Sequence, residues 1–144
     1  MKIVVDTNIV FSALLNANSE IHEILLAPFG VFDFFSPELM MGELEKYSAK
    51  LSHLSKLSSS QMHEAKSRLF QCVTLISEDV ISEISWQRSF DLTKDVDEKD
   101  TPFIALAIEL GCPLWTGDKK LIEGVKLRGF DSVISTRDVM RLRM

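Results

Sequence analysis

The chain has 144 residues, 46% of them hydrophobic and 26% charged, and its formal net charge is −5. This length suits one domain with a single core, and this composition excludes a disordered chain. No apolar run approaches the roughly 20 residues that a membrane-spanning helix needs, and the start, MKIVVDTN, lacks the apolar segment of a secretory signal. We therefore predict one cytoplasmic domain over residues 1–144, without a membrane segment.

Charge is distributed unevenly along the chain. Residues 119–144 contain seven Lys or Arg and three acids, whereas residues 1–118 contain nine bases and eighteen acids. An acidic body of this kind could hold a cation while a basic end binds phosphate groups. Basic helix faces that are merely solvated explain the distribution equally well.

The hydrophobic pattern predicts strands that alternate with helices. Short apolar runs rich in β-branched residues predict strands, at KIVVD (2–6), VFDFFS (31–36), VTLIS (73–77), PLWTG (113–117) and the start of 132–144. Apolar residues at helical spacing predict helices, over 8–27, 37–50, 61–72, 80–93, 100–110, 119–128 and the end of the chain. This order predicts an α/β/α sandwich with a mostly parallel, four- to five-stranded sheet flanked by helices.

Several residues mark where these elements should begin or end. Within 8–27, Ser19 resembles a new helix start, and Pro28 should end that helix. Pro37 suits the first turn of the next helix. The polar segment 52–61 is predicted to connect two helices, and Gly111 should end a later one.

Three acids lie where a strand or loop gives way to a predicted helix: Asp6, Asp100 and Asp118. In an open α/β sheet such points converge on the crevice outside the carboxyl ends of the strands. Each acid alone could be only a helix N-cap. Beside Asp6, a hydroxyl and an amide (Thr7 and Asn8) could hydrogen-bond the carboxylate and fix its orientation.

A fourth acid, Glu43, lies on the apolar stripe of its helix with Met40 and Tyr47, so we expect it to point inward. An inward carboxylate needs a compensating charge, and a capping role cannot explain it. Glu45, off this stripe, is predicted to be a surface acid. Asp97 belongs to an acidic run that could be only a solvated loop.

Carboxylates gathered without matching bases indicate a Mg²⁺ or Mn²⁺ site, because these ions prefer oxygen ligands and allow neighbouring acids to stay ionised. The sequence lacks the residue patterns that other kinds of catalytic site require. The three histidines, His22, His53 and His63, do not have zinc-ligand spacing, and neither a nucleophile-elbow motif nor a glycine-rich phosphate loop occurs.

With these residues identified, the chain resembles the PIN-domain family of metal-dependent ribonucleases. The matching motifs are VVDTN, SPELMMGELEKY, DEKDTPFIALAIELG and LWTGDKKL, in the family's order over nearly the whole chain. The resemblance implies that Asp6, Glu43, Asp100 and Asp118 hold one or two Mg²⁺ or Mn²⁺ ions that activate water to cut single-stranded RNA. It further implies that Thr116 supports Asp118 and that Asn8 supports Asp6.

One position departs from the family's pattern: many relatives carry a further acid where this chain has Lys120. Asp97 is an additional candidate ligand that could supplement the four acids. Small members of the family are often toxins of VapBC-type toxin–antitoxin pairs, so the resemblance implies a cognate antitoxin partner. Apolar helices over 21–27 and 61–72 leave room for a homodimer face.

Four basic residues near the chain's end are candidates for binding the RNA backbone beside an acidic cleft: Lys119, Lys120, Arg137 and Arg141. Two other functions stay open. An inactive PIN-like module would bind RNA or protein without cutting. A haloacid-dehalogenase-like phosphatase also begins with a strand and an Asp, but it needs a second Asp where this chain has Asn8.

Overall fold

The computed structural model describes residues 1–26 and 30–143. Five parallel strands form one sheet in the order β3-β2-β1-β4-β5. The strands are β1 (Lys2–Val5), β2 (Asp33–Pro37), β3 (Val73–Ile76), β4 (Leu114–Trp115) and β5 (Val133–Ile134). The predicted α/β fold with a parallel sheet flanked by helices is confirmed.

Helices separate successive strands. They are α1 (Thr7–Leu15), α2 (Glu20–Leu25), α3 (Leu39–Lys46), α4 (Ser48–Leu54), α5 (Ser59–Cys72), α6 (Glu83–Thr93), α7 (Thr101–Leu110), α8 (Lys119–Leu127) and α9 (Thr136–Arg143). Two 3₁₀ turns, Glu78–Val80 and Glu98–Asp100, precede α6 and α7. None of the helices within 1–26 and 30–143 is long and apolar enough to cross a membrane.

The centre of the core is β1 with α7 packed against it. Ile3, Val4 and Val5 are fully buried, because β1 lies in the middle of the sheet. Such a strand must be apolar on both faces, as its sequence is. α7 is apolar along most of its length and buries five consecutive residues, Phe103–Ala107. It ends at Gly111, whose φ of 64° is the left-handed conformation predicted for this helix end.

The predicted element boundaries differ from the structure mainly between residues 37 and 61. Pro37 ends β2, where it pairs with Ile76, so its predicted place in a helix was wrong. The predicted helix 37–50 is two helices, α3 and α4, that meet at Tyr47. α4 extends to Leu54, so the connection predicted over 52–61 is shorter. The restart at Ser19 is confirmed, since its side chain caps α2, whereas Pro28 lies outside the described residues.

Strand order determines where a site can form. The chain passes from β1 outward through β2 to β3, then returns to the other side of β1 to form β4 and β5. The strand order therefore reverses between β1 and β4. In open parallel sheets ligands bind at such a point, outside the carboxyl ends of the strands.

Candidate active site

Asp6 and Thr116 lie side by side because they follow neighbouring parallel strands. Val5 of β1 pairs with Trp115 of β4, and the Asp6 N–H donates to the Trp115 carbonyl at 3.1 Å. The Thr116 hydroxyl donates to Asp6 Oδ2 at 2.7 Å. The ladder between β1 and β4 thus places a carboxylate and a hydroxyl together at the point where the strand order reverses.

Thr116 also fixes the turn that carries Asp118. Thr116 Oγ1 accepts a hydrogen bond from the Asp118 N–H at 3.1 Å, and Asp118 Oδ1 caps α8 by accepting from the Leu121 N–H at 3.1 Å. One threonine therefore contacts both acids. The resemblance implied support for Asp118 alone.

Asp6 is an almost fully buried acid, with 4% of its surface exposed. Burial raises its pKa, the Thr116 hydrogen bond opposes this shift, and the charge of Asp118 adds to it. No Lys or Arg within 1–26 and 30–143 forms an ion pair with it. A buried carboxylate without a counter-charge is costly unless a cation or a proton joins it.

The residues after Asp6 contact it differently from the prediction. The Asn8 backbone N–H reaches Asp6 Oδ1 at 3.5 Å, a long contact, while the Asn8 side chain is exposed. Thr7 Oγ1 is buried and has no hydrogen-bond partner among the described residues. Asn8 thus approaches Asp6 through its backbone, and the Thr7 hydroxyl is left for another ligand.

Glu43 is half-buried on α3 and faces Asp6. Burial raises its pKa most, and the negative charge of Asp6 raises it further. The Thr7 hydroxyl is near enough to lower this pKa without completing a hydrogen bond, and Lys46 and Lys99 lower it through their charge. Glu43 therefore lies between the acids of the sheet and two lysines.

Asp100 has the most perturbed environment of the predicted acids. It occupies the N-cap position of α7, yet its side chain makes no capping hydrogen bond, and Oδ2 is buried without a partner among the described residues. Burial first, then the charges of Asp6, Asp97, Asp118 and Glu43, raise its pKa to about 7. The capping role that the sequence left as an alternative is absent, and the charges of the other four predicted acids all act on Asp100, so we call these five acids the acid cluster.

Asp97 lies at the margin of this cluster. Its side chain is exposed and accepts from the Lys99 N–H at 3.0 Å, so it caps the 3₁₀ turn that leads to Asp100. The structure thus gives Asp97 a local role, while its charge still reaches Asp100.

The site offers oxygen donors, which suit a hard divalent cation such as Mg²⁺ or Mn²⁺. Two buried oxygens, Thr7 Oγ1 and Asp100 Oδ2, have no partner within 1–26 and 30–143 and could face such an ion or its waters. In the part of the chain that the structure describes, however, no three acidic, His or Cys side chains are close enough to hold a metal. The donor set fits a divalent ion, and side chains must move to close around it.

The four predicted RNA-binding bases, Lys119, Lys120, Arg137 and Arg141, are exposed on α8 and α9. Three other lysines were missed: Lys46 and Lys99 line a cavity with Glu43, and Lys50 lines a neighbouring cavity with Thr7 and Asn8. Lys46 follows Glu43 at helical spacing, three residues later on α3. That spacing was the available signal.

Residues 4–139 match the PIN domain as a family. The fold is similar to the crystal structure of VapBC2 from Rickettsia felis bound to a DNA fragment from their promoter, with a TM-score of 0.60 and 16% identity over 94% of this chain and 97% of that one. Curated proteins give no significant match. Because the family match spans nearly the whole chain, this protein belongs to the PIN-domain family.

Proposed function

We propose that this protein is a Mg²⁺- or Mn²⁺-dependent endoribonuclease that hydrolyses single-stranded RNA. PIN domains are generally nucleases, which makes a nuclease the starting point. The observation that carries the proposal is the buried Asp6, which pairs with no Lys or Arg of residues 1–26 and 30–143, within a cluster that includes Glu43, Asp100 and Asp118. Carboxylates in such a cluster favour a bound divalent ion, because the ion relieves their mutual repulsion.

The residues would divide the work as follows. Asp6 and Asp118 would hold the ion, with Thr116 keeping both in place through its two hydrogen bonds. Glu43 and Asp100 would complete the set of ligands or orient the attacking water, and Asp97 would supplement them. A bound Mg²⁺ or Mn²⁺ supplies a Lewis acid for the phosphoryl oxygen and a water of lowered pKa.

We further propose that the protein is the toxin of a VapBC-type pair, with a cognate antitoxin as partner and a homodimer as its assembly. The similarity in fold to VapBC2 supports the pairing. Exposed apolar side chains on α5 and α6, including Phe70 and Ile84, support a contact between copies.

The test is cleavage of a labelled single-stranded RNA by the purified protein with Mn²⁺, Mg²⁺ or EDTA. Asp6→Asn and Glu43→Gln should each lower cleavage at least about 100-fold, because removal of a ligand should cost more than the 10- to 100-fold loss caused by second-shell changes. Glu45→Gln is the matched control, since Glu45 is exposed on the same helix. It should keep full activity.

The rival function is a module that binds RNA or protein without cutting it. Lys120 in place of a further acid, and the lack of three converged ligands among the described residues, favour it. It predicts no Mn²⁺-dependent cleavage and no thermal stabilisation by Mn²⁺. Our proposal predicts both, with about 2.7 kcal/mol of stabilisation when Mn²⁺ is at 100 times its Kd. Full activity of Asp6→Asn would refute the assignment of that residue.

A further inference from the structure

Tyr47 is a large aromatic residue that is not buried in the core. It lies at the junction of α3 and α4, and 45% of its surface is exposed. Its ring packs against Phe11 of α1 nearly edge to face, with the ring centroids 5.9 Å apart and the planes at 79°. This contact holds the Tyr47 ring in one orientation while leaving much of it open to a ligand.

Two cavities share Tyr47 as a lining residue, and we call them together the Tyr47 groove. The larger, about 480 Å³, is lined by Leu39, Gly42, Glu43, Lys46, Tyr47 and Lys99. The smaller, about 170 Å³, is lined by Thr7, Asn8, Phe11, Tyr47 and Lys50. The groove therefore reaches the acid cluster at two places, Glu43 and the residue that follows Asp6.

Positive charge borders this groove although the protein is acidic overall, at −5. Lys46, Lys50 and Lys99 are exposed, and within the described residues none of them forms an ion pair. Lys46 and Lys99 act on Glu43 through their charge, and Lys50 Nζ lies 5.8 Å from the centroid of the Phe11 ring. Unpaired lysines beside catalytic acids are complementary to a polyanion that must approach those acids.

Gly42 is an unusual residue for the interior of α3, where glycine costs about 1 kcal/mol relative to alanine. Packing does not require it, since a Cβ built there would meet no atom within 4 Å. What the glycine does is leave the wall of the larger cavity open beside Glu43.

We propose that the Tyr47 groove binds single-stranded RNA next to the cleavage site, with one base stacked on the Tyr47 ring and the flanking phosphates bound by Lys46 and Lys50. The inference rests on the proposed ribonuclease function and adds how the substrate lies. Stacking on an aromatic ring suits an unpaired base of any sequence, and lysines beside the ring suit the backbone on either side of it.

The observations favour RNA over a protein segment as occupant. Three unpaired lysines around one held aromatic ring match the alternating phosphates and flat bases of a single strand. The groove is also lined by one of the acids proposed to cut the strand, Glu43, and by Thr7, which follows Asp6.

The experiment measures binding by fluorescence anisotropy, with every variant made in the full-length Asp6→Asn protein so that the probe stays intact. The probes are a labelled mixed-sequence RNA decamer and a decamer of abasic sugar-phosphate units, which has the charge without the bases. Tyr47→Ala, Tyr47→Leu, Tyr47→Phe and Lys50→Gln are compared. Exposed residues at the end of α8, outside the groove, provide the controls, Leu127→Ala for the loss of an apolar side chain and Lys126→Gln for the charge.

Tyr47→Ala and Tyr47→Leu should weaken RNA binding about 5- to 150-fold and leave abasic binding unchanged, while Tyr47→Phe stays near the parent. Lys50→Gln should weaken both probes and reduce the slope of log affinity against log salt by about 0.7. Tyr47→Leu keeps an apolar side chain, so agreement between it and Tyr47→Ala at unchanged thermal stability excludes unfolding as the cause.

Two results would overturn this inference without touching the proposed function. One is RNA binding that is insensitive to all three Tyr47 changes while the wild-type protein still cleaves RNA. The other is an equal loss for RNA and abasic probes, which would mean that Tyr47 acts on charge or shape alone. If the wild-type protein neither binds nor cleaves RNA, the proposed function and this inference fail together.

Discussion

The acid cluster has two unlike halves, one built on the sheet and one built on helices. In the sheet half, Thr116 joins Asp6 and Asp118 through hydrogen bonds of 2.7 and 3.1 Å. In the helical half, Glu43 and Asp100 have no such shared partner, and Asp100 Oδ2 is buried without any hydrogen bond among the described residues. The hydrogen bonds of the sheet half are therefore made within the protein, whereas the helical half leaves an oxygen atom for a ligand.

The difference follows from how each half is held. β1 and β4 are joined by backbone hydrogen bonds up to the residues that carry the acids, so the position of Asp6 relative to Thr116 is fixed by strand register. Glu43 and Asp100 depend on how α3 and the turn before α7 pack, and packing leaves more freedom than a hydrogen-bonded ladder. For the four acids to hold one cation, it is therefore Glu43 and Asp100 that would have to move.

Removing the Thr116 hydroxyl, which joins Asp6 and Asp118 in the sheet half, should have the largest effect on stability and cleavage. Thr116→Val keeps the side chain's shape but leaves the buried Asp6 carboxylate and the half-buried Asp118 N–H without their partner, at a cost of about 2–3 kcal/mol in the free energy of unfolding. Cleavage should fall about 10- to 100-fold, as for other residues that orient a metal ligand. Thermal unfolding and Mn²⁺-dependent cleavage measure both, with Thr116→Ser as the control that keeps the hydroxyl. Unchanged cleavage by Thr116→Val would contradict the role of Thr116.

A smaller effect is expected in the helical half. Asp100→Asn should raise the free energy of unfolding of the metal-free protein at pH 8 by about 1–2 kcal/mol, because solvent screening reduces the effect of a partly exposed charge. The pKa of Asp100 is raised to about 7 in the folded state, so its charged form opposes folding above that pH. The folded wild-type protein binds a proton that the unfolded chain lacks between about pH 4 and 7, so its stability should rise as the pH falls through this window.

Chemical denaturation from pH 4.5 to 8.5 tests this, since Asp100→Asn should flatten the slope. The exposed Asp131→Asn serves as a control that leaves the slope unchanged. In saturating Mn²⁺ the wild-type protein should become the more stable of the two, because its Asp100 carboxylate binds the ion and the variant lacks that carboxylate. An equal Mn²⁺ shift in both proteins would contradict a metal role for Asp100.

The smallest predicted change in stability concerns the contact between α8 and the segment that leads to Asp100. A Cβ at Gly124 would lie 2.6 Å from Val96 Cγ2. Gly124→Ala should therefore lower the free energy of unfolding by about 1 kcal/mol, because overpacking outweighs the gain in helix propensity. Gly42→Ala, with open space around its Cβ, should raise it by about 0.5–1 kcal/mol.

The double variant Gly124→Ala, Val96→Ala tests the cause, because removing the two valine methyl groups should restore the space. Urea unfolding gives all four free energies for a double-mutant cycle. If the free-energy changes of the two single variants simply add in the double variant, Val96 is not what opposes a side chain at Gly124.

The sequence was enough to predict the parallel α/β fold, the strand segments and the restart of a helix at Ser19, because short-range patterns encode these features. It was not enough for the region from Pro37 to Ser59. There, two short helices meet at Tyr47 and Pro37 belongs to a strand. Local propensity favoured a helix start at Pro37, and pairing with β3 overrode it.

The sequence by itself also singled out the candidate acids, since strand ends, helix starts and an inward-facing stripe can be found along one chain. Tertiary structure alone decided that Thr116 contacts both Asp6 and Asp118, that Asp100 caps nothing, and that Tyr47 and three lysines border the cluster. The physical reason is that these relations join residues far apart in the chain. Thr116 and Asp6, for example, are separated by 110 positions and meet only because β4 pairs with β1.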